Sequence, residues 1–310
     1  MLHKNAFRQV ITSLSIVGAL FVGAIGYSAP TSAAALSSPN ILRPESTRFG
    51  INLSYVALGD SVAAGLGLPP ATGASAEDLA CGRSPQAYSS AVAARIRDVF
   101  AGTPVHVSDQ NVACQRAVTD NLTAPQTIGG LTVQPQLDQA FAHGTPALLT
   151  LTMGANDVGW ANFIQACFSA SPCDTAANTG LADASIASMQ AKLTSTLASI
   201  PARSGFIPPS VIVTGYYHPV STQCVNANLT TSEVAWLDQE ADALNNALRT
   251  ATQQAGWFAR FAPVDFTGHD VCSADPWLQR PGVPGEPAAF HPNAQGQQVI
   301  AQDVLKQLGL

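Results

Sequence analysis

Charge is scarce in this sequence of 310 residues: Asp, Glu, Lys and Arg make up 11% of it, against about 25% in an ordinary soluble domain. The 14 Lys and Arg face 20 Asp and Glu, for a net charge of −6. No four cations cluster, so no segment can neutralise a run of phosphates, and nucleic-acid binding is excluded as a function class. Disorder is excluded too, because 46% of the residues are hydrophobic, and disordered chains combine low hydrophobicity with high charge. No Cys-x-x-Cys pair occurs. The closest cysteines, Cys167 and Cys173, have no His beside them, so the sequence lacks a zinc pattern. Beyond residue 27 no apolar run is long enough to span a bilayer.

One apolar run does stand near the start. His3, Lys4 and Arg8 precede the stretch Val10–Tyr27, and Ser32-Ala33-Ala34-Ala35 follows it. A basic start, an apolar middle and small residues at the end are the parts of a secretory signal peptide, here residues 1–35. The expectation is a secreted protein, or one held at the cell envelope if the segment is not cleaved. The remaining stretch of about 275 residues suits one large α/β domain.

Six cysteines lie in the exported part: Cys81, Cys114, Cys167, Cys173, Cys224 and Cys272. An even count in an exported chain reads as three disulfides. Six cysteines permit 15 pairings, and bridges between sequence neighbours, 81–114, 167–173 and 224–272, are the expected set.

Short apolar runs alternate with helical patterns. Tyr55–Leu58, Val105–Val107, Ala147–Met153 and Val211–Thr214 read as strands, and Phe261–Asp265 as a last one, at an edge or strand end because of Pro263. Runs apolar on successive residues suit strands covered on both faces. Between them, Ile186, Met189, Leu193, Leu197 and Ile200 form a stripe at helical spacing. Leu237, Ala241, Leu244, Leu248 and Ala251 form another, with Thr230 and Glu233 as a capping box. Ile300, Val304 and Leu308 share one face of a last helix over 294–308. Alternation of this kind predicts a parallel sheet with helices on both sides. There is no internal repeat and no interdomain linker.

Two glycine-led turns and one histidine carry the chemistry. Gly59-Asp60-Ser61 follows the first strand, which aims Ser61 into the crevice at a strand's carboxyl end. Gly154-Ala155-Asn156-Asp157 leaves the third strand in the same way, and an Asn amide there can donate to a developing negative charge. His291 stands just before the last helix, placed to act as base for a serine.

With these residues in place, the chain resembles the SGNH hydrolase superfamily, also called the GDSL esterase/lipase family. The four blocks are Tyr55–Ser61, Asn111–Thr119, Gly154–Asp157 and Phe290–Asn293. The resemblance implies a three-layer α/β/α sandwich around a flavodoxin-like parallel sheet of about five strands, filling residues 36–310 as one catalytic domain. It implies Ser61 as nucleophile and His291 as base, with an oxyanion hole from Asn156 and the backbone N–H groups of Ser61 and Arg116. The six cysteines resemble those of a secreted actinomycete-type branch in which three disulfides join sequence neighbours. Neither metal nor organic cofactor is implied. The expected partner is a small-molecule or lipid ester substrate, and the enzyme itself is expected to be a monomer.

Two positions depart from the family pattern. Arg116 stands where relatives carry Gly in the second block; its backbone N–H survives, while its side chain either narrows the site, meets an acidic group of the substrate or points to solvent. Ala288 stands where most relatives carry Asp, three residues before the histidine. A Ser–His dyad oriented by the Ala288 carbonyl is therefore expected, with Asp265, Asp270, Asp275 and Glu286 as reserve partners. Two alternatives stay open beside the esterase or lipase: a carbohydrate acetylesterase, and a non-catalytic lipid- or carbohydrate-binding protein on the same fold. Trp160, Phe163, Phe168, Trp277 and Phe290 are candidates for an acyl pocket, the segment 158–180 for a lid, and Asn121 and Asn228 for glycosylation.

Overall fold

The computed structural model describes residues 50–310 apart from 170–171, 226–228, 284 and 287. The signal-peptide expectation and the sequon at Asn228 fall outside the described residues. In chain order the elements are β1 (Ile51–Gly59), α1 (Ser61–Ala64), α2 (Ala76–Cys81), α3 (Tyr88–Val99), β2 (Val105–Asn111), β3 (Gln126–Ile128), β4 (Leu131–Val133) and α4 (Gln136–Phe141). They continue with β5 (Leu148–Thr152), α5 (Trp160–Phe168), α6 (Ala176–Arg203), β6 (Ser210–Thr214), α7 (Thr231–Ala255), β7 (Ala259–Ala262) and α8 (Ala294–Leu308).

Five strands form one sheet in the order β2-β1-β5-β6-β7, and every neighbouring pair is parallel. Burial follows position. Every residue of central β5 is buried, whereas edge strand β2 has no buried residue and carries the exposed His106, Ser108, Asp109 and Gln110. A strand buried throughout must be covered on both faces. The cover comes from two helix pairs, α3 packed on α8 and α6 packed on α7. The stripes read from the sequence are the buried faces of α6, α7 and α8, and the Thr230–Glu233 capping box opens α7. The fold is the three-layer, flavodoxin-like α/β/α sandwich.

The order places a topological switch point between β1 and β5. From β1 the chain crosses to β2 on one side and later returns to β5 on the other, which opens a crevice at the strands' carboxyl ends. All five strands are parallel, so the turns that leave β1, β2, β5 and β6 meet at one edge. The small hairpin β3–β4 is absent from the sequence reading. Gly129 and Gly130, both at positive φ, make its two-residue turn, the backbone that a tight hairpin requires.

Candidate active site

The three strand ends and the last loop bring Ser61, Arg116, Asn156 and His291 to the walls of one crevice of about 850 Å³. Ser61 is the first residue of α1. Its turn depends on Gly59, at φ +140°, where an added Cβ would fall 2.2 Å from the Thr152 carbonyl oxygen. Asp60 caps α1 by accepting the Val62 N–H at 2.9 Å, as N-cap carboxylates do. The buried Gln136 side chain accepts the Gly59 N–H at 2.7 Å and donates to the Gly59 carbonyl at 2.8 Å.

The Ser61 hydroxyl lies 2.8 Å from His291 Nε2. On the ring's other side, Nδ1 is 3.1 Å from the Ala289 carbonyl. A carbonyl only accepts, so Nδ1 carries the proton and Nε2 is left to accept from Ser61. Burial holds the imidazole below the ordinary histidine range, against the opposing pull of the Ala289 and Ala288 carbonyls.

The ring's partner was expected at Ala288, yet the Ala288 carbonyl accepts the backbone N–H of His291 at 3.0 Å. This closes the turn Ala288-Ala289-Phe290-His291. Phe290, its third residue, is at φ +65°, the mark of a type II turn. In such a turn the middle peptide is flipped relative to type I, and here its carbonyl is that of Ala289. The reserve carboxylates are engaged elsewhere: Asp265 with Thr267, Asp270 with the Cys272 N–H, and Glu286 with Arg280. Asp275 pairs with His269.

Asn156 donates one amide hydrogen to the Ala117 carbonyl at 2.9 Å, which orients the group and leaves a second donor. Neither the Ser61 N–H nor the Arg116 N–H has an acceptor among the described residues. Arg116 is at φ +63°, in the left-handed region that costs a residue with a Cβ roughly 1–2 kcal/mol. The conformation is held by its neighbours. Cys114 donates its N–H to the Gly59 carbonyl at 3.0 Å, Gln115 donates to the Cys81 carbonyl at 2.9 Å, and Cys81 is bonded to Cys114. The other disulfides join Cys167 to Cys173 and Cys224 to Cys272, so all three bridges join sequence neighbours.

Several residues in the site escape sequence reasoning. The Tyr216 hydroxyl donates to Asp60 and accepts the Ala155 N–H at 3.2 Å. The Tyr217 hydroxyl donates to the Phe290 carbonyl at 2.7 Å. Both follow Gly215 at the end of β6, the same strand-end signal that marks Ser61 and Asn156. Gln279 donates to the Leu66 carbonyl at 3.0 Å and accepts the Ala288 N–H at 3.2 Å, tying the histidine loop to the chain after Ser61. Gln297, fully buried, accepts the Tyr88 N–H at 2.8 Å and donates to the Val62 carbonyl at 3.0 Å. Nothing local in the sequence singles out either glutamine.

Of the aromatic candidates, Trp160, Phe168 and Phe290 line the crevice. Trp277 instead stacks on His269 with ring centroids 3.6 Å apart, and Phe163 packs edge-on against Trp236. The segment named for a lid contributes a wall through α5. Among the described residues, the one cluster with metal-ligand spacing is Cys224, Asp270 and Cys272. Its two sulfurs share a disulfide and offer no thiolate.

The family model of the GDSL-like lipase/acylhydrolase family matches residues 57–299. The chain belongs to that family. As a GDSL-type enzyme it is a carboxylic ester hydrolase, and its similarity to characterised relatives runs nearly end to end. It is 31% identical to Lipase 2 of Streptomyces coelicolor over 99% of both chains. It is 28% identical to a lipase of Streptomyces rimosus, covering 85% of this chain and 93% of that one. The crystal structure of phospholipase A1 from Streptomyces albidoflavus superposes with a TM-score of 0.63 at 28% identity, covering 82% of this chain and 98% of the other. The extracellular lipase of Streptomyces rimosus gives 0.63 at 26% identity, with 82% and 99% covered.

Proposed function

We propose that this GDSL hydrolase is a secreted lipase or long-chain esterase that works through an acyl-enzyme on Ser61. The carrying observation is the 2.8 Å contact between the Ser61 hydroxyl and His291 Nε2. Ser61 Oγ attacks the ester carbonyl carbon while its proton passes to Nε2. The carbonyl electrons move to the oxygen, which the N–H groups of Ser61, Arg116 and Asn156 receive. Collapse breaks the bond to the alcohol, which leaves with the proton from Nε2. Water then attacks the acyl-enzyme, giving one proton to His291, and release of the acid returns that proton to Ser61. The Ala289 carbonyl keeps Nδ1 protonated and the ring oriented through both halves. Lacking a formal charge, it stabilises the imidazolium less than a carboxylate would.

The crevice wall favours a long acyl chain over an acetyl group. Leu66, Leu68, Trp160, Ile164, Phe168 and Phe290 line it, an apolar surface that an acetyl group would leave largely uncovered. The basic, apolar and small-residue segments before residue 36 and the three disulfides support secretion.

The test is hydrolysis of p-nitrophenyl esters from acetyl to palmitoyl by the wild type and Ser61→Ala. Turnover is expected to peak at octanoyl or longer and to fall at least about a thousandfold in Ser61→Ala. Equal turnover in the variant would remove Ser61 from the mechanism, and a maximum at acetyl would make the enzyme an acetylesterase.

A further inference from the structure

The charged groups of the crevice are not all paired. The carboxyl, guanidinium and imidazole groups in its lining belong to Asp60, Asp78, Arg83, Arg116 and His291. Asp60 is buried under Tyr216, and burial favours the neutral ring of His291. Arg83 is committed: its guanidinium donates to Glu77 and Asp78, both at 3.0 Å, and to the Ala113 and Val112 carbonyls at 2.8 and 3.2 Å. Arg116 differs from all of these. It is exposed, and among the described residues no carboxylate or carbonyl accepts from its side chain. A guanidinium stays charged at any working pH, so one guanidinium in the crevice lining is uncommitted.

The residue also stands in a backbone conformation that glycine would adopt without strain. Strain kept next to reacting groups points to a role for the side chain that causes it. The apolar wall of Trp160, Ile164, Phe168 and Phe290 is matched to an acyl chain, which leaves the alcohol arm of the ester to meet Arg116.

We infer that Arg116 selects esters whose alcohol arm carries an anion, a phosphate or carboxylate a few bonds from the scissile carbonyl. The inference rests on the ester-hydrolase reading of the crevice. A guanidinium matches such groups through paired N–H donors. The anionic headgroup of a lipid and a small phosphate ester present the same chemistry.

The experiment compares two soluble esters with the same acyl chain and scissile bond, monooctanoyl glycerol and monooctanoyl glycerol phosphate, on the full-length protein and Arg116→Gln. The quantity read is the ratio of kcat/KM for the phosphate ester to that for the neutral one. The Arg116 N–H is also one of the proposed oxyanion donors, and changes there move both rates and cancel in the ratio. A wild-type ratio of about ten, equivalent to about 1.4 kcal/mol, falling to about one in Arg116→Gln and retained in part by Arg116→Lys, is the expected result. A ratio shared by wild type and Arg116→Gln overturns the inference.

Salt supplies a second readout. Raising ionic strength from about 0.01 M to about 1 M shortens the screening length from about 30 Å to about 3 Å. The wild-type ratio should shrink while that of Arg116→Gln stays flat, and an unchanged wild-type ratio contradicts an electrostatic origin. Arg116→Gly guards against a folding artefact, because it relieves the strain and should melt no lower than wild type while losing the preference. Vesicles carrying phosphatidylglycerol or the phosphate-free diacylglycerol of the same acyl chains separate the sources: a preference that persists there assigns a lipid headgroup, and one confined to the soluble pair assigns small phosphate esters. Wild type that cleaves neither soluble ester strikes the hydrolase reading itself, and the inference falls with it.

Discussion

The Tyr216 hydroxyl donates to the buried Asp60 side chain at 2.5 Å. The same oxygen accepts the Ala155 N–H, so one phenol from the end of β6 joins the residue before Ser61 to the residue before Asn156. The two side chains proposed to act on one carbonyl thus share a common brace. Tyr216→Phe removes it and leaves one oxygen of the buried Asp60 carboxyl and the Ala155 N–H without a partner, at about 1–3 kcal/mol for each unsatisfied group. The expected outcome is a loss of about 2 kcal/mol in urea unfolding, with kcat falling more than KM rises. Wild-type stability together with a wild-type kcat would show that the brace is dispensable.

Asp60 gives stability a pH dependence of its own. Burial pushes its carboxyl from 3.8 up to about 7, against the bonds from Tyr216 and Val62 that favour the ionised form. The folded chain therefore keeps a proton that the unfolded chain has already lost. The stabilisation is complete below pH 3.8 and is lost as pH rises to about 7, at up to about 1.4 kcal/mol per unit. Asp60→Asn cannot titrate, so its urea midpoint should change less than that of wild type between about pH 4 and about pH 7. Equal changes would mean that Asp60 is ionised throughout.

In the proposed mechanism the neutral ring of His291 is the base and sets the acid limb of activity, and burial lowers its pKa from 6.5. A pH profile of kcat/KM should therefore fall on the acid side with a midpoint below 6.5, and activity should persist into mildly acidic buffer. A midpoint above 6.5 would contradict a ring neutralised by burial.

The Cys81–Cys114 bridge spans a sequence separation of 33 and fixes the backbone two residues before Arg116. Replacing both cysteines with Ala is expected to cost about 3 kcal/mol of stability, mainly by freeing the unfolded chain. It should also lower kcat, because the Arg116 backbone loses an anchor. A variant that is destabilised but retains full kcat per folded molecule would separate the bridge from the site.

The sequence reading reached much of this arrangement. Ser61, Asn156 and His291 stand next to strand ends or a helix start, positions that leave a local mark in glycine turns and apolar periodicity. The Ala289 carbonyl, by contrast, replaces Ala288 as partner of the ring through the positive φ at Phe290, which no side-chain pattern announces. Tyr216 went unread although Gly215 before it carries the strand-end mark. Its importance comes from a partner 156 residues away.

Periodicity and turn chemistry are local properties, so the alternation of strands and helices, the α6, α7 and α8 faces and the strand-end or helix-start positions of Ser61, Asn156 and His291 were legible in the sequence alone. Strand order, the paths of Gln279 and Gln297 between the two halves of the site, and the solitary charge of Arg116 were decided only in the tertiary structure. Each depends on which distant groups are brought within hydrogen-bond reach. An arginine in a sequence carries the same charge wherever it stands, and only packing shows that Arg83 is spent on Glu77 and Asp78 while Arg116 is not.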